Sequence, residues 1–487
     1  MLSANRIRPE VSTASSRRTR DVWSTTTRTL GKVLRNSLLS TAIAWIFAFC
    51  CSVGNVFSGR GADAQSTQEF LVAKMLWFHY FFCAATVSIF LSLLLTEQPA
   101  GLVPTTRSPL AHWSRRMAWL TSPYFFVVCK LLSVVLESAK TAKASVYFTH
   151  ICFYVFVGCT DVQARFLYRS ETARGQVRTR QQLMRHQRRL SERPDRKPLP
   201  PERRRFVRVL LEDLPLVASA VFATAYVHTV SAIKIATQWD LAPFALCSIS
   251  LKLLLQEMAK GLLTRKRRTP NMRSMAITVA APTILVDTQL RTVLLCQDNA
   301  SMTVVVSLLL AIAEVCVRVV KTAYVQWHVH RLDAQRHSPF AISLAAKSAT
   351  KIAHVHVAPV RTTSSLRLRV HRLLSLHAAE VYADMYAEYI AMGCSYGILF
   401  FFGAHAKYQL GNGETPAASR WTNASITGLQ LALEVVVDLV ACALEIRRGI
   451  DLERFNQDDA FLAVFMVAVA LVNVHTRLNG YMSTSTS

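Results

Sequence analysis

Asp384 and Glu388 stand four residues apart in a stretch that is otherwise apolar, with His377 and Glu380 just before them at spacings of three and four. At roughly 100° per residue in a helix, these four groups share one narrow face. A second apolar stretch carries Glu434 and Asp438, again four apart, with Thr427 and Glu445 on the same side. A carboxylate in hydrocarbon costs about 2.5–3.5 kcal/mol, so each must face a bundle interior, pair with a cation or hold a proton. If the two acidic faces meet, Asp384, Glu388, Glu434 and Asp438 line a pathway suited to a small cation or a proton. The competing explanation is structural: acids at positions 380 and 384 favour a helix N-terminus near the headgroups, and the others are neutralised by basic partners.

Basic groups are available for that neutralisation. Asp287 and Arg291, and likewise Glu314 and Arg318, are four apart with the acid first, the better order for an ion pair along one helix. Lys130 and Lys252 have no acid at that spacing; Lys130 lies at a depth close to that of Glu434, which makes an interhelical pair the expectation. Gly393 and Gly397 form a GxxxG turned about 140–180° from Glu388. Such a pair lets another helix approach closely, here expected within the same chain.

Soluble catalytic signatures are missing. The chain has no GxxxxGK[ST], GxSxG, HExxH or dinucleotide fingerprint, so neither an enzyme nor a cofactor is expected. Half of the 14 histidines fall between His328 and His377, including the pairs His328/His330 and His354/His356. They stand in a basic segment without cysteine and read as solvated side chains rather than a metal site. The 11 cysteines are odd in number and mostly sit inside apolar stretches, where they act as small apolar residues rather than a disulfide framework.

The elements that must position these groups are apolar. With 52% hydrophobic and 18% charged residues in 487, the chain has eleven stretches of about bilayer length: 38–56, 70–95, 117–136, 145–163, 206–234, 241–263, 274–295, 302–324, 381–402, 424–444 and 460–474. The expected fold is therefore an all-α polytopic transmembrane bundle of about 11 helices. A basic Ser/Thr-rich tail, 1–37, is expected to be unstructured. Helices then group as 38–163, 206–324 and 381–474, separated by basic connectors at 164–205 and 325–380, with a short external tail at 475–487. Outside the stretches, 41 Lys and Arg fall in the N-terminal tail and even-numbered gaps, against 6 elsewhere. That asymmetry puts the N-terminus in the cytoplasm. The net charge of +26 would suggest nucleic acid in a soluble chain. Here it lies in membrane connectors, so anionic lipid headgroups are the expected partner, with no nucleic acid.

The segment Ala387-Glu388-Tyr389-Ile390-Ala391-Met392-Gly393-Cys394-Ser395-Tyr396-Gly397-Ile398-Leu399-Phe400-Phe401-Phe402, followed by the acidic stretch at 424–444, resembles uncharacterised polytopic membrane proteins of oomycetes. The resemblance covers the last third and implies no activity. The run Glu212-Asp213-Leu214-Pro215 resembles the opening found in XK-related lipid scramblases, with Leu216 where that family tends to carry glutamine. Acids and a proline in a first helical turn also satisfy free amides without any function.

Together these features lead to an integral protein of the plasma membrane or an endomembrane, with a transporter or channel-like role as the first expectation. A membrane scaffold with structural ion pairs is the second, and a lipid scramblase the third.

Overall fold

The computed structural model describes residues 11–95, 109–138, 142–192, 238–265, 272–296, 300–337, 360–408, 416–453 and 459–481, with isolated residues between 222 and 230 and at 410 and 455. These are almost wholly helical, with no strand among the described residues. The helices are α1 (Val11–Val53), α2 (Thr67–Leu95), α3 (Pro109–Ser138), α4 (Ala142–Glu171), α5 (Ala173–Glu192), α6 (Gln238–Arg265), α7 (Met272–Leu295), α8 (Ala300–His337), α9 (Val360–Phe402), α10 (Pro416–Arg447) and α11 (Asp459–Gly480). Most of the expected stretch at 206–234, including the acids at 212 and 213, lies outside the described residues.

Four helices are long and apolar enough to cross a membrane by length and composition: Asp21–Ser58, Thr67–Leu94, Arg369–Phe402 and Asp459–Gly480. Among the described residues, α6, α7, α8 and α10 fall short of that composition for a shared reason. Each gives one face to charged or amide side chains that are buried: Lys252 and Gln256, Asp287 and Arg291, Arg318, and Glu434 and Asp438. Large apolar residues on α6, α8 and α10 face outward instead, among them Leu246, Leu309, Val320 and Val436. Polar groups inside and exposed leucine and valine outside form the arrangement that lipid, not water, rewards.

The tail expected to be unstructured is helical from Val11. Its Thr26, Thr29, Leu30, Val33, Asn36 and Ser37 are buried, and Arg35 Nη2 and Asn36 Nδ2 bond Asp459 at 3.0 and 2.6 Å. The basic segment therefore docks on the start of α11. Helix α9 likewise begins at Val360, about six turns before the apolar stretch at 381.

Helices α7 and α9 form the centre and are buried over almost their whole described length from Met275 and Leu376 onward. They run parallel: Ser395 Oγ donates to the Thr288 carbonyl at 3.2 Å, while Gln256 Nε2 reaches both Thr283 and Asp384 lower down. Helix α10 runs antiparallel to α9, since Tyr389 meets Asp438 and Met385 meets Cys442. Helices α6 and α8 are antiparallel to α9 as well, through Lys260 and Lys321 on Glu380 and Lys252 near Glu388. Helix α1 lies parallel to α9 and α11, through Asn36 on Tyr386 and Asp459 and Trp45 on Gly393. Helix α2 runs antiparallel to α11, pairing Lys74 with Asn479 and Phe78 with His475.

The GxxxG of α9 is the seat of α1. Trp45 Nε1 donates to the Gly393 carbonyl at 2.8 Å, and a Cβ added at Gly393 or Gly397 would lie 2.3 Å from Thr41 Cγ2 or 2.6 Å from Trp45 Nε1. The close approach is within the chain, as the sequence leads one to expect. Gly393→Val should lower the thermal-unfolding midpoint in detergent by the equivalent of about 1–3 kcal/mol of overpacking. Gly428→Ala, where an added methyl meets open space, should leave it unchanged or slightly raised; equal losses in both would remove the special role of the α1 contact.

Candidate functional site

Polar stripes on five helices converge between α6, α7, α8, α9 and α10. Each stripe has helical spacing: Lys252, Gln256 and Lys260 on α6; Asp287 and Arg291 on α7; Glu314, Arg318, Lys321 and Thr322 on α8; His377, Glu380, Asp384 and Glu388 on α9; Gln430, Glu434, Asp438 and Glu445 on α10. Along α10 the stripe runs from position 445 to 430, a rise of about 22 Å at 1.5 Å per residue. That is most of a hydrocarbon thickness of about 30 Å.

The lowest level is rich in cations. Glu380 accepts from Lys260 Nζ at 3.0–3.1 Å and from Lys321 Nζ at 2.7 Å, with His377 Nδ1 3.9 Å away. Lys321 also donates to Gln256 Oε1 at 2.8 Å, and the other end of that amide donates to Asp384 Oδ1 at 2.6 Å. One glutamine thus links two levels, its oxygen facing a cation and its nitrogen facing an anion. Beside it, Asp438 is fully buried between the Arg318 guanidinium and the Tyr389 hydroxyl, the latter donating at 2.7 Å. Arg318 Nε also lies 3.7 Å from Glu445 Oε1.

The upper level is rich in acids. Lys252 Nζ stands 2.9 Å from both Asp287 Oδ2 and Glu314 Oε1 and 3.8 Å from Glu388 Oε1. Arg291 Nη2 is 3.6 Å from Glu434 Oε1. Oxygens of Glu314, Glu388 and Glu434 all lie within 4.8 Å of one another. Above them Gln430 Nε2 donates to Ser307 Oγ at 2.5 Å. A small crevice between α7, α8 and α10 is lined by Arg291, Ser307, Glu314, Gln430 and Glu434 along with leucines.

The four candidate pathway acids are therefore together, on the facing sides of antiparallel α9 and α10. Their expected cations are not all the right ones. Asp287 and Glu314 pair with Lys252 across helices rather than with Arg291 and Arg318 on their own, and those two arginines serve Glu434 and Asp438. Glu434 takes Arg291, not Lys130, which is exposed on α3. Sequence reasoning did not single out Gln256, Lys260, Lys321, Tyr389 or Gln430. The signal for the first two was present in the four-residue spacing from Lys252, a polar stripe inside an apolar stretch.

No protein-family model, curated protein or solved structure matches the chain. What the site can do follows from its charges alone. Within this five-helix site eight carboxylates (Asp287, Glu314, Glu380, Asp384, Glu388, Glu434, Asp438 and Glu445) face five Lys and Arg side chains (Lys252, Lys260, Arg291, Arg318 and Lys321); two further buried cations lie outside these pairs, Lys74 on Asn479 and Arg477 on the Leu285 carbonyl. Protons or cations must offset part of the remainder, because unpaired charge out of water is too costly to persist.

Removing one partner of a buried ion pair costs about 3–5 kcal/mol, whereas replacing both by apolar groups is far milder. Arg318→Met alone should therefore destabilise the detergent-solubilised protein by about that amount, and Arg318→Met combined with Asp438→Leu should recover part of it. Additive losses in a double-mutant thermal-unfolding cycle would show that the two side chains do not act as a unit.

Proposed function

We propose that this chain is an integral membrane transporter or channel-like protein in which the interior ladder accepts and passes a proton or small cation. The observation that carries the reading is the surplus of buried carboxylates over basic partners, concentrated around Glu388 and Glu434. Pure structural neutralisation needs no surplus. A polar stripe about 22 Å long on α10, paired with cations of neighbouring helices at both levels, adds the span that passage across a bilayer requires.

The same reading takes the bundle as crossing the bilayer about eleven times, with the N-terminus in the cytoplasm. Support comes from helix direction: α1, α7, α9 and α11 run one way and α2, α6, α8 and α10 the other. Alternate crossings of the expected stretches would produce that order, and the one-sided Lys and Arg would fix its hand. The resemblance of residues 387–402 to oomycete polytopic membrane proteins belongs to this proposal and names no substrate.

A second reading, a membrane scaffold whose ladder is ion-pair glue, draws on the closed contacts of Asp438 with Arg318 and Tyr389. It also draws on α5, a strongly amphipathic basic helix exposing Val177, Leu183 and Met184 beside Arg174, Arg178 and Arg180. Such a helix suits an anionic membrane surface. Binding of the 165–205 segment to liposomes irrespective of lipid charge would count against this role.

Flux separates the first two readings. In vesicles reconstituted with the purified protein, an imposed proton or alkali-cation gradient should dissipate with the wild type. Glu388→Gln combined with Asp438→Asn should abolish the flux while the protein still inserts. Flux that persists unchanged rejects the pathway, and lipid flipping without any ion gradient would instead favour a scramblase.

A further inference from the structure

The upper level of the ladder carries more than a general preference for positive charge. Four carboxylates meet there, Asp287, Glu314, Glu388 and Glu434, and two cations answer them, Lys252 and Arg291. Two negative charges are left over, the complement of one divalent ion.

The donor atoms say which kind. Glu314, Glu388 and Glu434 each bring an oxygen to within 4.8 Å of the others, and no sulfur or imidazole belongs to the group. An all-oxygen set selects hard cations over zinc or copper. Calcium binds oxygen at about 2.3–2.6 Å, so ligands on opposite sides of it stand about 4.6–5.2 Å apart; magnesium, at about 2.0–2.1 Å, would draw them to about 4.2 Å or less. Separations of up to 4.8 Å admit either ion.

A further group points to a ligand independently of the acids. Gln430 is 6% exposed. Its amide nitrogen is used by Ser307, yet its Oε1 is buried with no hydrogen-bond partner. It lines the same crevice as Glu314 and Glu434, which has room for about one water-sized occupant. A buried carbonyl oxygen without a donor is costly, and a cation beside it removes that cost.

We propose that Glu314, Glu388 and Glu434, completed by Gln430 Oε1, bind one divalent, oxygen-seeking cation between α8, α9 and α10. The proposal rests on the pathway reading for its role, as the ion carried or as a resident of the ladder, but not for its existence.

The test is equilibrium binding of radioactive calcium to the full-length protein in nanodiscs, with excess potassium and magnesium as competitors. The wild type should take up about one ion per chain, resisting potassium but yielding to magnesium as a second hard divalent ion. Glu388→Gln with Glu434→Gln should weaken uptake at least on the order of a hundredfold, given that outer-shell changes alone cost ten- to a hundredfold at metal sites. Gln430→Leu, which leaves every charge in place, should weaken it less, and calcium should raise the unfolding temperature of the wild type but not of the double variant. No saturable uptake by the wild type, or uptake undiminished in the double variant, overturns the site. Proton flux abolished by Glu388→Gln with Asp438→Asn, in a protein that binds no calcium, keeps the pathway and overturns this site. Calcium uptake with no flux of any ion does the reverse.

Discussion

A charge removed from water must find its complement within a few ångströms, because in a low-dielectric interior leaving it alone costs several kcal/mol, a large share of a typical protein's stability. In this chain that requirement organises the whole bundle. Most of the buried charges lie on α6, α7, α8, α9 and α10, and they are paired because those five helices bring their stripes together. Apolar packing alone would leave their rotation loosely specified, since leucine and valine ring most of each helix. A single rotation places Lys252 against Asp287 and Glu314, and at the same time Lys321 against Glu380.

Helix α9 carries two faces with opposite demands. On one side its glycines admit α1 so closely that Trp45 bonds the backbone of Gly393. On the other its acids require the cations of α6 and α8. Close packing on one side holds the acids at fixed distances from the cations on the other, so the ladder inherits its geometry from the α1 contact. The arrangement also explains why α7 is buried nearly all round although it carries Asp287 and Arg291. Its threonines 283, 288 and 292 bond back to carbonyls four residues earlier, so these hydroxyls of a central helix are met without water.

How much of this was legible in the sequence varies by element. The acidic faces of α9 and α10 followed from four-residue spacing, and their meeting followed from antiparallel neighbours. The close approach at Gly393 and Gly397 was legible for the same local reason. Pairing of the cations was not, because the i,i+4 rule describes an isolated helix in water, where Asp287 and Arg291 have only each other. In the bundle each is offered a partner on another helix, and Arg291 is the cation within reach of Glu434. The order of the N-terminal segment was missed as well: its Ser and Thr read as a tail, yet Thr26, Thr29, Asn36 and Ser37 are buried against the bundle. Charge and polarity in a membrane protein mark contact with other protein as readily as contact with water.

The distribution of charge along the ladder bears on function more than its total. At the lower end Glu380 alone has Lys260, Lys321 and His377 around it, while at the upper end Lys252 and Arg291 face four acids. Ion pairs that served only to hold helices together would gain from even matching, because each unmatched acid weakens the interface it sits in. Concentrating the surplus beside the crevice and the unbonded oxygen of Gln430 does the opposite. It creates a place where a positive charge is stabilised without displacing the pairs beneath it, next to a column of polar groups leading toward the cation-rich end. In the proposed pathway an incoming cation would meet attraction at one end and repulsion at the other, so onward movement would require the lower pairs to open, and Lys321, which holds both Glu380 and Gln256, is the side chain whose release would free both.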